Sequence, residues 1–328
     1  MLMKNLVFIL CLLYFFSACT TVQSISFERL HAADVNFPDQ VRTVGVVNCI
    51  LPNKQAKDSE ERPSASLELD GMVTAERLAQ EIAATDYFNH VVICDSVVFP
   101  LDVNEMDVLP GYLKDSLIQV LGVDMLMSVE RLQIKLQEST MFFPELGMQV
   151  PSIDGVIAPV FRTYIAGRET PLFTIAKTDT ICWDLSPTLT PEQIAKDASE
   201  YAAILPMEYL LPYWKEVDRY YFDGGSVDMR DAGVFVREQN WEQASMLWKN
   251  VYDTKKGKTK MRAAFNLALF HEMQDEFEEA KTYLRAASEL VPETSWEQQL
   301  IQFYQLQLDD LAQDNNRLKI QMKRFEDK

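Results

Sequence analysis

Asn240-Trp241-Glu242-Gln243-Ala244 returns 36 residues later as Glu276-Phe277-Glu278-Glu279-Ala280. Each copy follows a helical stretch with a small residue twelve positions before the matching alanine, Ala232 in the first and Ala268 in the second. A unit that repeats near this period cannot bury its apolar face alone and must stack on its neighbour, so the spacing predicts paired helices over residues 225–293. The packing positions are Ala232, Trp241, Ala244 and Trp248 in the first copy. In the second they are Ala264, Leu267, Ala268, Phe277, Ala280, Leu284 and Ala287. Small residues let the helices cross closely, and large ones fill the space between pairs. The two extra residues fit the Lys255-Lys256-Gly257-Lys258 loop. Asp228 and Asp231 occupy positions that are commonly apolar, as expected of a unit at the end of a stack.

This period and residue pattern is the tetratricopeptide signature. Such repeats present a concave surface, here expected to include Met229, Arg230, Gly233, Arg262, Phe265, Asn266 and Leu269. Arg230, Arg262, Phe265, Asn266 and Leu269 are candidate peptide-binding residues, because arginine offers paired donors to a carboxylate. The lysines of carboxylate-clamp repeats are missing, and plain scaffold packing is the competing reading. The final segment, residues 294–328, starts at the cap Ser295. It carries Ile301, Tyr304, Leu308, Leu311, Asn315, Leu318, Met322 and Phe325 at spacings that alternate three and four. This stripe either caps the last repeat or forms the seam of a homodimer, with Asn315 setting the register.

Towards the amino terminus, Val41 to Cys49 crowds β-branched residues into a strand. The polar stretch Asn53 to Ser66 reads as a loop. Helical spacing over Leu67 to Ala84, a strand at Val91 to Val98, a helix near Pro110 to Leu121 and a strand from Asp124 to Leu136 follow. Val156 to Ala166 and Leu172 to Trp183 are expected to form a hairpin around Gly167-Arg168-Glu169. The order predicts a small α/β domain with a mixed sheet over residues 41–189, and an α+β fold for the whole chain. Thr190-Pro191-Glu192-Gln193 is a helix start with cap, first-turn proline and capping-box glutamine. Together with the segment holding Tyr209, Tyr213, Trp214, Tyr220 and Tyr221, it predicts connecting helices over 190–224, with a boundary at Asp223-Gly224-Gly225.

The amino terminus carries an address. Lys4 precedes the apolar run Leu6 to Phe16, too short for a permanent span but suited to a signal peptide, and Ser17-Ala18-Cys19 follows. Residues 1–18 are therefore expected to be removed and Cys19 lipidated, with residues 19–40 as a tether. Phe16 stands where the lipoprotein pattern usually has leucine. Loss of the leader removes Lys4 and takes the net charge from -18 to -19. A surface so acidic repels phosphates, which excludes nucleic acid as a partner. Cys49, Cys94 and Cys182 lie in apolar runs and are expected as buried thiols, with one disulfide as the alternative. His31, His90 and His271 are scattered and no metal-ligand spacing occurs, so neither metal nor cofactor is expected. The chain has no Gly-x-Ser-x-Gly elbow, no His-Glu-x-x-His site and no phosphate-binding glycine loop, and therefore offers no catalytic residues.

Tyr213-Trp214-Lys215-Glu216-Val217-Asp218-Arg219-Tyr220-Tyr221, Asn240-Trp241-Glu242-Gln243-Ala244 with Trp248, and Ala263-Ala264-Phe265-Asn266-Leu267-Ala268 resemble an uncharacterised lipoprotein family of Bacteroidota. Its members join a leader, a compact α/β domain and a tetratricopeptide tail. Residues from Val41 to about Trp183 are similar, in order of elements, to TolB-like and penicillin-binding-protein-activator-like domains. The resemblance implies an outer-membrane site and no established activity. Thr20 and Thr21 lack the acidic tag that surface lipoproteins of that group often carry, which points to the periplasmic face. The expected role is a lipid-anchored adaptor for another envelope protein. The alternatives are a structural subunit that oligomerises through the carboxyl helix, or an envelope hydrolase.

Overall fold

The structure, a computed structural model, describes residues 22–50, 67–98, 108–145 and 147–326. In chain order its elements are β1 (Val22–His31), β2 (Thr43–Asn48), α1 (Gly71–Ala84), β3 (His90–Val97), α2 (Gly111–Leu121), β4 (Met125–Arg131), β5 (Ile134–Phe143), β6 (Met148–Ile157), β7 (Val160–Ile165), β8 (Phe173–Ala176) and β9 (Asp179–Asp184). They continue with α3 (Pro191–Ile204), α4 (Met207–Leu210), β10 (Tyr213–Phe222), α5 (Val227–Arg237), α6 (Trp241–Thr254), α7 (Gly257–Met273), α8 (Phe277–Ser288) and α9 (Trp296–Glu326). The fold class is α+β, as the order of elements in the sequence implied. Two compact units form: a helical unit of the described residues up to His31 with Trp214–Arg317, and an α/β unit of Ala32–Tyr213 with the chain from Leu318 onward.

In the α/β unit the valines of β2 are buried on both sides of the sheet, because helices cover both faces. The sheet order is β3-β2-β4-β7-β8, with β3 and β4 parallel to β2, and β7 and β8 added antiparallel. Val44, Val46, Met125, Met127 and Phe161 pack with the buried side of α1, while Val47, Leu126 and Tyr164 pack with α2. Asp70 starts α1 by accepting hydrogen bonds from the amides of Met72 and Val73. Gly122, in the left-handed region at φ 65°, stops α2.

A second sheet, β5-β6-β9, packs Ile157 and Trp183 on Ile194, Ala198 and Ala202 of α3. The expected hairpin forms, but its two arms are shared between this sheet and the first. The run Asp124 to Leu136 divides into β4 and β5, Val156 to Ala166 into the end of β6 and β7, and Leu172 to Trp183 into β8 and β9. Each run leaves one sheet and enters the other, and the two arms of the hairpin stay paired throughout: β7 with β8 in the first sheet, and the end of β6 with β9 in the second, Val156 opposite Thr180 and Ile157 opposite Asp179. Pro159, which has no amide to donate to a ladder, lies at one of these breaks. Gly155 is required in β6: a Cβ there would come 2.6 Å from the Trp183 ring.

The expected tether over 19–40 is not a tether where it is described. Val22–His31 is a strand, and Ala32, Ala33, Val35 and Phe37 are buried in the α/β unit. The end of α9 holds that second segment. Gln321 exchanges hydrogen bonds with the backbone of Ala33, and Arg324 donates to the carbonyls of Val41 and Pro38 while lying over the Tyr87 and Phe88 rings. The connecting helices expected over 190–224 need a second correction. α3 belongs to the α/β core, α4 is a single turn, and Tyr213–Phe222 is a strand. Its inward residues Val217, Arg219 and Tyr221 alternate with Glu216, Asp218 and exposed Tyr220, a period of two that suits β-favouring aromatic residues. The boundary at Asp223-Gly224-Gly225 therefore falls inside the helical unit.

In the helical unit α5 pairs with α6, and α7 with α8. Ala232, Ala244, Trp248, Ala264, Leu267, Ala268, Phe277, Ala280, Leu284 and Ala287 are buried in one core, and Trp241 is half-buried against it. β1 and β10 form a two-stranded sheet. Ser26 donates to Asp218, and His31, at the end of β1, feels the charge of Lys215 near the start of β10, so the two strands run antiparallel.

Candidate functional site

The concave face of the helix pairs already has an occupant, the β1–β10 sheet. Arg219 of β10 forms a paired ionic contact with Glu272 near the end of α7. Three residues along the strand, the buried Asn266 side chain accepts from the Phe222 amide at 2.8 Å and donates to the Phe222 carbonyl at 2.7 Å, as a neighbouring strand would. Arg262, a turn earlier on α7, lies over the Phe222 ring. From β1, Arg29 reaches Asp275 and the Glu272 carbonyl and covers the Phe277 ring.

This arrangement corrects the peptide-groove expectation. Phe265, Asn266 and Leu269, with Met229 and Gly233, are buried beneath the chain's own strands. Arg262 is half-buried, Arg230 is exposed, and neither is left facing an open groove with the others. Sequence reasoning missed Arg219 and Glu272, although an arginine within an aromatic, alternating segment is the kind of signal a buried partner leaves. The stripe on α9 is consumed in the same way. Ile301, Tyr304, Leu308 and Leu311 are core residues of the helical unit, Asn315 is buried, and Leu318 and Met322 are half-buried. These side chains already pack within their own chain, as a helix that caps the last repeat would place them.

An open concavity lies in the α/β unit. A cleft of about 990 Å³ lies at the carboxyl ends of β2, β3 and β4, between the start of α1 and the β5–β6 ladder. β2 leads through α1 to β3 on one side, and α2 then carries the chain across to β4 on the other, so the strand order reverses at β2. Crevices outside the carboxyl ends of strands at such a reversal are where open α/β sheets bind ligands. Asn48 closes the floor, 2% exposed, with its carbonyl oxygen accepting from the Ile50 amide. Gly71 is needed beside it, since a Cβ there would come 2.3 Å from that oxygen. Ser199 of α3 braces the rim by donating to Ala195 and accepting from the Asp70 amide. Ile50, Leu67, Leu69, Met72, Leu132 and Ile134 make the lining largely apolar, and Lys135 is the only cation among the described lining residues. Those residues include no histidine, cysteine, serine or tyrosine. The cleft thus combines an apolar lining with a few ionisable groups, Glu68, Asp70 and Lys135.

The most concentrated polar cluster of this unit lies on the sheet face towards α2. The Glu130 carboxylate accepts from Ser128, Arg162 and Tyr164. Burial, and then the bond to Glu130, push the Tyr164 hydroxyl well above its ordinary range. These bonds join β4 to β7. Of the cysteines expected as buried thiols, Cys49 is buried, Cys94 half-buried and Cys182 exposed, the last because it lies on the wet side of β9. All three are free thiols. Among the described residues no group of side chains could hold a metal ion. No described helix is long and apolar enough to cross a membrane. Cys19, the leader and the Asn53–Ser66 loop lie outside the described residues.

No curated protein matches the chain. Among solved structures it is similar to a minor lipoprotein from Acinetobacter baumannii, at 9% identity over 54% of this chain and 98% of that one, with a TM-score of 0.23. It is also similar to rare lipoprotein B from Shewanella oneidensis, at 12% identity over 65% of this chain and 95% of that one, with a TM-score of 0.15. Scores this low lend the argument nothing. Residues 230–310 match a family described as a domain of unknown function, DUF6340. Residues 41–222, more than half of the chain, match another domain of unknown function, DUF8603, and it is to this family that the chain belongs.

Proposed function

We propose that this protein is a lipid-anchored adaptor of the cell envelope that receives its partner in the α/β cleft. The leader and Cys19 support an anchor made of several acyl chains, which hold far more firmly than one because each buried methylene adds about 0.8 kcal/mol. The same reading places it at the outer membrane, on the periplasmic face. The paired helices act as a tetratricopeptide-like scaffold, and the TolB-like character of the α/β unit remains part of this proposal.

The observation that carries the binding role is the cleft at the strand reversal, largely apolar, with Glu68, Asp70 and Lys135 among its lining. Such a lining suits an apolar segment of another envelope protein flanked by charged groups, an acid for Lys135 and a base for Glu68. The test puts a photoreactive benzoylphenylalanine in place of Lys135 in the native lipoprotein and illuminates intact envelopes. A discrete adduct that is absent when the probe replaces exposed Lys196 is expected. The same products from both positions, or none from Lys135, would refute the cleft as the receiving surface.

A further inference from the structure

We infer that the Lys255–Lys260 loop is a membrane-docking surface that settles the anchored helical unit onto anionic phospholipid headgroups. The inference rests on the lipid anchor proposed at Cys19. Between Lys249 and Arg262 the chain carries six basic residues and one acidic residue, in a protein whose net charge is -18. Lys255 and Lys256 are exposed. Lys258, with its side chain 62% exposed, reaches Glu297, and Lys260 lies over the Tyr252 ring. The lone acid of the stretch, Asp253, is held by Lys249. Concentrated positive charge on so acidic a chain calls for a negative surface, and the path of β1 and β10 shows which one.

β10 descends α7 from its carboxyl to its amino end: Arg219 meets Glu272, Phe222 meets Asn266, and a Cβ on Gly225 would touch Arg262 and Thr259. β1 runs antiparallel to it with Ser26 level with Asp218, which brings Val22 level with Phe222. From there three residues lead back to Cys19, a reach of at most about 11 Å. The span from Asn266 to the start of α7 is about 14 Å at 1.5 Å per residue. Along α7 the lysine loop is therefore no more than about 25 Å from the attachment point. An anchor within that distance lets the loop meet the headgroups, where each lysine is drawn to an anionic surface.

The test is acetylation footprinting of the native, full mature protein, reconstituted in phosphatidylglycerol-containing vesicles, in phosphatidylcholine vesicles and in neutral detergent. Lys255 and Lys256 are expected to react at least about fivefold more slowly in the anionic vesicles, the shift that one lysine's attraction supplies. Reactivity should return at 1 M salt, where the Debye length is about 3 Å. Lys196 serves as an exposed reference. Equal rates in all three settings, or protection that ignores lipid charge and salt, would overturn the docking. Mass analysis of the same sample separates the two readings: a lipidated protein with unprotected lysines removes the docking alone, and a bare Cys19 removes both.

Discussion

Replacing Glu272 by alanine is the sharpest probe of how the strand pair is fastened to the helices. Glu272 is fully buried and accepts from Nε and Nη2 of Arg219 at 2.8 to 3.0 Å and from the Tyr304 hydroxyl at 2.5 Å. Arg219 is 5% exposed and rests over the Tyr304 ring. The substitution strands a guanidinium in the core, which costs roughly 3–5 kcal/mol. Tyr304→Phe removes only a hydrogen bond to a charged acceptor, about 1.5–3 kcal/mol. Arg219→Met combined with Glu272→Leu removes both charges and is expected to return to within about 1 kcal/mol of the parent, because the pair's attraction roughly offsets its desolvation. Urea unfolding followed by far-ultraviolet circular dichroism reads these directly. With a slope near 2 kcal/mol per molar, Glu272→Ala should lower the midpoint by about 2 M. If the double variant lost as much as the two single losses added together, the ionic pair would not be the fastening and the reasoning would fail.

Three further outcomes follow from the geometry. Gly155→Ala should destabilise the α/β unit by about 1–3 kcal/mol through overpacking on Trp183, read as a lowered thermal midpoint, and an unchanged midpoint would show that the ring moves freely. Burial pushes the His31 imidazole below its ordinary range more strongly than Asp314 draws it up. The folded chain then binds that proton less readily than the unfolded one, so its contribution is complete above the unfolded value near 6.5 and is lost as pH falls through it. Urea midpoints at pH 7.5 and 5 should therefore diverge more for the parent than for His31→Gln, and equal differences would refute this. Alkylation at pH 8 with mass mapping should label exposed Cys182 well before Cys49, whose thiol burial pushes far up. Equal labelling rates would contradict the packing around β2.

Local patterns carried what local physics decides. Thr190 and Ser295 each cap a helix by accepting from an amide three residues on, at the places their side chains and neighbours foretold, and Asn240 does the same at the start of α6. The repeat alanines mark close helix crossings because only small residues fit there. Where reading failed, it failed on strands. The run from Val156 to Ala166 found its expected partner across the Gly167-Arg168-Glu169 turn, but alternation looks the same whether a run serves one sheet or two, so the passage from β6 to β7 went unread. Tyr213–Phe222 was missed because its alternation is masked by aromatic residues on both faces.

The sequence by itself determined the class of the fold, the helix pairs with their caps, the buried valines of β2 and the charge that concentrates at residues 255–260. These are properties of spacing and composition, which act within a few residues. Only the tertiary structure decided that a strand beginning at Val22 pairs with one beginning at Tyr213, and that this pair fills the concave face expected to stay open. The contacts that hold it, Arg219 with Glu272 and Asn266 with Phe222, join residues more than 40 positions apart. Such pairings are chosen by which buried donors and acceptors remain to be satisfied after the chain has collapsed, and no local pattern records that choice.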